Sequence, residues 1–257
     1  FLHIVGYRYI YKGYRIDYSF TDSLKSLFLI HNEFVNIWSH LLSFFITISL
    51  IIYYNLITTV HNIEIKNIIL LGSCLIFLCS TIAHLFTANC KTVISVNILY
   101  LLDQFSIILG IILFESVYIY LMYYNDSKSL LIYVSLASVT NLFIFFIKLY
   151  NLFRPINKLC FYIPIIMCNM GLMTYAYCKS NITIYKNDDI FYIFITSNIM
   201  IVSSVIVNLI FFIPERLCYN KFDICGSSHQ IWHVVVSFYL FALLYQITLW
   251  EKYIILD

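Results

Sequence analysis

Three histidines, an aspartate and a serine are the residues of this chain whose types and places could do chemistry. His84, Asp103, His229 and His233 lie in otherwise apolar stretches, where ionisable groups generally mark function. His229 and His233 are four residues apart, so on a helix both imidazoles leave the same face. Ser80 and His84 repeat that spacing. Three imidazoles with one open position describe a zinc site with three protein ligands, the catalytic kind, and zinc lowers the pKa of a bound water to about 7. Asp103 would hold that water or orient a ligand from behind. Ser80 would do likewise, or polarise a substrate carbonyl. The same spacings also describe hydrogen bonding between neighbouring helices, and spacing by itself leaves both readings open.

The elements that must position these residues are membrane spans. Of the 257 residues, 62% are hydrophobic and 11% charged, against about 25% charged in soluble domains. About 20 mainly apolar residues cross a bilayer core. Seven stretches qualify: 37–60, 66–88, 95–122, 129–150, 159–177, 190–213 and 229–249. The expected fold is therefore an all-α membrane protein of seven transmembrane helices. Residues 1–36 form an N-terminal segment in which Phe and Leu recur helically across 24–35, predicting a short amphipathic surface helix before the first span. Residues 37–249 form the transmembrane domain and 250–257 a short tail. The sequence opens at Phe1, not Met, so a preceding segment is expected. The eight cysteines include no C-x-x-C pair and are read as small core residues, not a disulfide framework.

Span counting brings the chemistry to one depth. His84 closes span 2, Asp103 is near the start of span 3, and His229 and His233 open span 7, so all four lie near one face of the bundle. Ten Lys and Arg fall on that side (Arg8, Lys12, Arg15, Lys25, Lys91, Lys148, Arg154, Lys158, Arg216 and Lys221) and five on the other (Lys66, Lys128, Lys179, Lys186 and Lys252). The positive-inside rule makes the richer side cytoplasmic, with a cytoplasmic N-terminus and an exoplasmic C-terminus. The sequons at Asn125 and Asn181 both fall on the opposite side. Asn36 and His40, one turn apart, are expected to hydrogen-bond neighbouring helices. His31, Asn32 and Glu33 read as a polar hinge before span 1. Glu115 stands twelve residues beyond Asp103, about 18 Å along the helix axis, and is expected to pair within the bundle.

Several segments resemble one family, in order and at the right spans. They are Leu27 to Glu33 followed by Asn36-Ile37-Trp38-Ser39-His40-Leu41; Ser80-Thr81-Ile82-Ala83-His84; Leu102-Asp103; Ile213-Pro214-Glu215-Arg216; Lys221-Phe222-Asp223-Ile224; and Ser228-His229-Gln230-Ile231-Trp232-His233-Val234. Together they resemble the progestin and adipoQ receptors, whose relatives include the haemolysin III proteins. The Pro-Glu-Arg and Lys-Phe-Asp segments are similar to the adiponectin-receptor branch. The resemblance implies seven spans, a cytosolic N-terminus, and zinc held by His84, His229 and His233 with Asp103 and Ser80 beside it. It implies ceramidase-like hydrolysis or hormone-receptor signalling. One departure is Gln104-Phe105-Ser106 after the aspartate, where the family shows Tyr and Gly.

Two functions follow as expectations. The first is a zinc-dependent amidase acting on a membrane lipid, with ceramide the leading substrate. The second is a signalling receptor for a lipid, protein or steroid ligand in which the zinc is structural. A net charge of +2 offers nothing to nucleic acid. A G-protein-coupled receptor is disfavoured, because span 3 ends without Asp-Arg-Tyr, span 7 lacks Asn-Pro-x-x-Tyr, and the basic bias puts the N-terminus inside.

Overall fold

A computed structural model describes residues 7–56, 63–123, 125–150, 171, 175 and 188–254. Its first helix, α1 (Phe20–Lys25), is short. Ser19 caps it: its hydroxyl accepts from the Asp22 backbone N–H at 3.1 Å, and Asp22 accepts in return from the Ser19 N–H at 3.2 Å. This reciprocal capping box satisfies two donors that a helix start leaves open. A single 3-10 turn, Ser26–Phe28, follows, and Leu29 is already extended. The surface helix expected across 24–35 is therefore replaced by an earlier, shorter pair of helical turns. The chain leaves helical geometry there because His31, Asn32 and Glu33 must turn inward, and all three are buried. Phe20, Phe28, Leu29 and Ile30 remain exposed, a disposition suited to the headgroup layer of a bilayer.

Long helices follow: α2 (Phe34–Leu56), α3 (Ile63–Phe86), α4 (Val93–Tyr123), α5 (Ser127–Tyr150), α6 (Asp188–Ile206) and α7 (Ser228–Ile254). Five of them, α2 to α5 and α7, are long and apolar enough to cross a membrane. α6 occupies the sixth expected span, and α7 runs on into the stretch expected as a tail. The fifth expected span, 159–177, lies outside the described residues except at two positions. α6 ends in a π-helical turn, Val207–Phe211.

Successive helices pack side by side from α2 to α5, α6 packs on α7, and α7 also lies against α2 and α3. That last arrangement closes the bundle and carries the start of α7 to the end of α3. The core between them is Ile69, Ile76 and Phe77 of α3, Phe114, Val117, Tyr118, Ile119, Leu121 and Met122 of α4, Ala137 of α5, and Val236, Leu240, Leu243 and Ile247 of α7. At Gly110 a Cβ would come within 2.4 Å of the Ile76 side chain, so α3 and α4 approach as closely as small residues permit in membrane bundles. The outward faces are apolar: Leu131, Val139, Phe143 and Phe146 of α5 and Phe238 and Tyr245 of α7 are exposed.

Candidate metal centre

The residues before α1 fold back over the histidine end of the bundle. Gly13, in the left-handed region at φ +80°, lets its carbonyl accept from the Asn32 N–H at 3.0 Å. A side chain at Gly13 would be strained in that conformation and would meet Ile224. The Tyr18 N–H donates to the Ala88 carbonyl at 3.2 Å. Arg15 is buried and anchors the segment. Its guanidinium donates to Ser26 Oγ at 2.7 Å, to the Leu85 carbonyl at 3.1 Å and to the His84 carbonyl at 2.6 Å. Helix α3 ends there, where its last carbonyls have no partner within the helix and a cation is favoured.

At the opposite side of the site, Glu215 and Gln230 fix the start of α7. The Glu215 carboxylate accepts from the Ser228 backbone N–H at 2.8 Å and also from its hydroxyl. Gln230 Oε1 accepts from the Gly226 N–H at 2.6 Å. Its Nε2 donates to the Asn32 carbonyl at 3.0 Å and to the Ile224 carbonyl at 2.9 Å. Both residues belong to the segments that carried the family resemblance, and their work is to hold the first turn of α7 in place.

These supports bring the three histidines together. Ring centroids are 4.6 Å apart for His84 and His233, 4.9 Å for His229 and His233, and 5.3 Å for His84 and His229. One nitrogen from each can be chosen so that all lie within 4.8 Å of one another. His84 and His233 are almost wholly buried. His84 turns Nδ1 to Glu33 Oε2 at 2.8 Å, and His229 Nδ1 meets the Asn208 amide at 3.4 Å. His84 Nε2 and His233 Nδ1 are buried without a hydrogen-bond partner in the protein, a condition that costs about 1–3 kcal/mol per group unless something satisfies it. Imidazole nitrogens of this kind are zinc donors, so the residues fit a zinc ion.

Around the triad stand the other polar residues. Ser80 is buried one turn before His84, and its hydroxyl has no protein partner. Asp103 lies near enough to interact with His84 electrostatically, but it is not one of the clustered groups. The Tyr7 ring lies 5.3 Å from His229 and that of Tyr100 6.2 Å from His84, with 3.4 Å between their hydroxyl oxygens. His40 stacks on His233 with centroids 4.1 Å apart. It contacts the site through this ring, whereas Asn36 donates to Glu33 Oε2 at 2.7 Å.

Glu33 is the principal residue that sequence reasoning passed over, having read it as part of a hinge. Burial opposes its charge, but His84 beside it and the hydrogen bonds from His84 and Asn36 outweigh that and hold its pKa down at about 2. The neighbouring His31 is lowered as well, but for it that favours the neutral form: burial, then the charge of Arg15, brings its pKa to about 4. Its Nε2 meets the Ser26 carbonyl at 3.1 Å, and its Nδ1 accepts from the Glu33 N–H at 3.1 Å. Asn208 also went unread, and Arg15 was counted only among the basic residues of its side. The i, i+3 spacing of Glu33 and Asn36 was the one available signal for this layer.

Comparison with known proteins places this arrangement in a family context. The family model described as "Haemolysin-III related" matches residues 28–245. Heptahelical transmembrane protein 1 of Arabidopsis thaliana is 28% identical over 259 residues, covering 92% of this chain and 76% of that protein. Progestin and adipoQ receptor family member 3 of Mus musculus is 29% identical over 255 residues, covering 91% and 78%. The ADIPOR-like receptor IZH2 of Saccharomyces cerevisiae is 27% identical over 246 residues, covering 89% and 74%.

Proposed function

The chain belongs to the haemolysin-III related family, together with the progestin and adipoQ receptors, and from that premise we propose that this multi-pass membrane protein is a zinc-dependent hydrolase of lipid amides, with ceramide the leading substrate. The observation that carries the reading is the convergence of His84, His229 and His233 beside Ser80 and Asp103 at one end of an apolar bundle. A zinc ion held by the three histidines would supply a Lewis acid and a water that ionises near neutral pH. The Asp103 carboxylate takes the proton from the attacking water and returns it to the departing amine as the C–N bond breaks. The Ser80 hydroxyl donates a hydrogen bond to the amide oxygen as negative charge collects there. A site built within the spans suits a substrate that stays in the bilayer.

The bundle has seven spans in this reading, with the N-terminus and the histidine end in the cytoplasm and the C-terminus outside, as the ten-to-five basic asymmetry requires. Tags at both ends, probed before and after permeabilisation, should expose the C-terminal tag in intact cells and the N-terminal tag only afterwards. Access to the N-terminal tag without permeabilisation would reverse the orientation.

A second reading has its own support. The near-complete burial of His84 and His233 suits a structural zinc in a receptor for a lipid, steroid or protein ligand, and several relatives carry the word receptor in their names. Reconstituted protein given a panel of ceramides distinguishes the two. Free fatty acid should appear with wild type and vanish on chelation; equal release from wild type and the chelated control leaves the receptor.

A further inference from the structure

We infer that Glu33 is a positioning residue of the metal centre, holding His84 in the tautomer that turns Nε2 towards the other two histidines. The inference rests on the zinc reading above and extends it to a segment outside the spans.

The geometry is that of a carboxylate behind a metal-ligating imidazole. Glu33 Oε2 stands 2.8 Å from His84 Nδ1 and accepts from Asn36 Nδ2 at 2.7 Å. Glu33, Asn36 and His84 are all buried, so little solvent competes for these bonds. An ionised carboxylate only accepts hydrogen bonds. Facing Nδ1, it requires the proton on Nδ1 and leaves the lone pair on Nε2, the nitrogen that is buried without a protein partner. A ligand nitrogen must carry a lone pair, and a carboxylate on the far side of the ring fixes its orientation and raises its basicity.

Two more contacts make the arrangement a built one. The Asn36 side chain holds Glu33, so the first turn of α2 supports His84 through that carboxylate. Arg15 grips the His84 carbonyl at 2.6 Å, so that residue is held by its ring and by its backbone at once. At His229 the facing group is the Asn208 amide, whose Nδ2 lies 3.4 Å from Nδ1. An amide supplies orientation there without charge. Glu33 is thus the carboxylate among these orienting groups, and the strongest effect on metal affinity belongs to it.

The test is zinc affinity of the full-length protein in detergent, by competition with a chromogenic chelator, with cobalt substitution reporting ligand geometry. Glu33→Gln keeps the size of the side chain but can donate as well as accept, so it no longer selects the tautomer. Zinc should bind it 10- to 100-fold more weakly than wild type, with a shifted cobalt spectrum and unchanged melting of the zinc-free protein. Asn36→Ala, which leaves Glu33 in place without its support, should show a smaller loss of the same kind and decides the matter if the glutamine variant fails to fold. Asp22→Asn, in the exposed capping box, should bind like wild type. If wild type binds zinc and both Glu33→Gln and Asn36→Ala match it, the positioning role is wrong and the zinc reading survives. If wild type binds no zinc, both fall together.

Discussion

Two polar clusters in this bundle are built on opposite plans. At one end, His84, His229 and His233 meet, with His84 Nδ1 and His229 Nδ1 engaged by Glu33 and Asn208 and with His84 Nε2 and His233 Nδ1 left for something other than protein. Deeper in the bundle, Glu115 of α4 is buried and accepts from Asn141 of α5 at 2.8 Å, while Asn141 also donates to the Ala137 carbonyl at 2.9 Å. Tyr118 of α4 donates to Gln246 of α7. Here polar side chains answer one another across helix boundaries, as interhelical hydrogen bonds do in membranes. The contrast is between groups held in place for a ligand and groups that hold helices together. An ionisable residue within a span marks a special place, but only its partners tell which kind.

The comparison breaks most sharply at the histidines. Replacing His84, His229 and His233 together by Ala should abolish zinc binding, measured by elemental analysis against about one zinc per wild-type chain, and the bundle should melt at lower temperature where metal binding contributes to folding. Undiminished zinc in that variant would remove the distinction between the clusters. Next in size is Asp103→Asn. It keeps the shape and loses the base, so turnover of a lipid amide should fall by about 10²–10⁴-fold while zinc content stays near wild type; parallel loss of both would make Asp103 a metal-holding group. Ser80→Ala removes one hydrogen bond of about 0.5–1.5 kcal/mol, so turnover should fall about 2- to 12-fold, again with zinc retained.

Sequence reasoning reached the triad because polar residues stand out against apolar runs, and because counting spans sorts them by end. It reached Ser80 through the same four-residue spacing. It missed Glu33 for the converse reason: amid His31, Asn32 and Asn36 a carboxylate has no contrast, and its partner is 51 residues away. Asn208 stands on a π-helical turn, where the helical count of faces no longer holds. The surface helix was misplaced because hydrophobic spacing across 24–35 outweighed the capping box at Ser19 and Asp22, which marks the true start. The bounds of α2 moved for a related reason. Its first turn includes polar Asn36, which looks unsuited to a span until its amide is seen to bond Glu33.

The smallest effect belongs to the deeper cluster, and it sharpens the comparison from the other side. Glu115→Gln keeps an oxygen where Asn141 donates at 2.8 Å, so the bond between α4 and α5 can survive without the carboxyl group. Hydrogen bonds between membrane helices average about 0.6 kcal/mol, and the change in stability should stay within about 1 kcal/mol, read from thermal melting in detergent. Zinc content and turnover should be those of wild type, since the contacts of Glu115 run to α5 and not to the triad. Glu115→Leu removes the acceptor while leaving Asn141 buried, and should destabilise by about 1–3 kcal/mol, still with zinc bound. Loss of zinc or of turnover in the glutamine variant at unchanged stability would show that the two clusters work as one site and that a buried interhelical bond can serve chemistry at a distance.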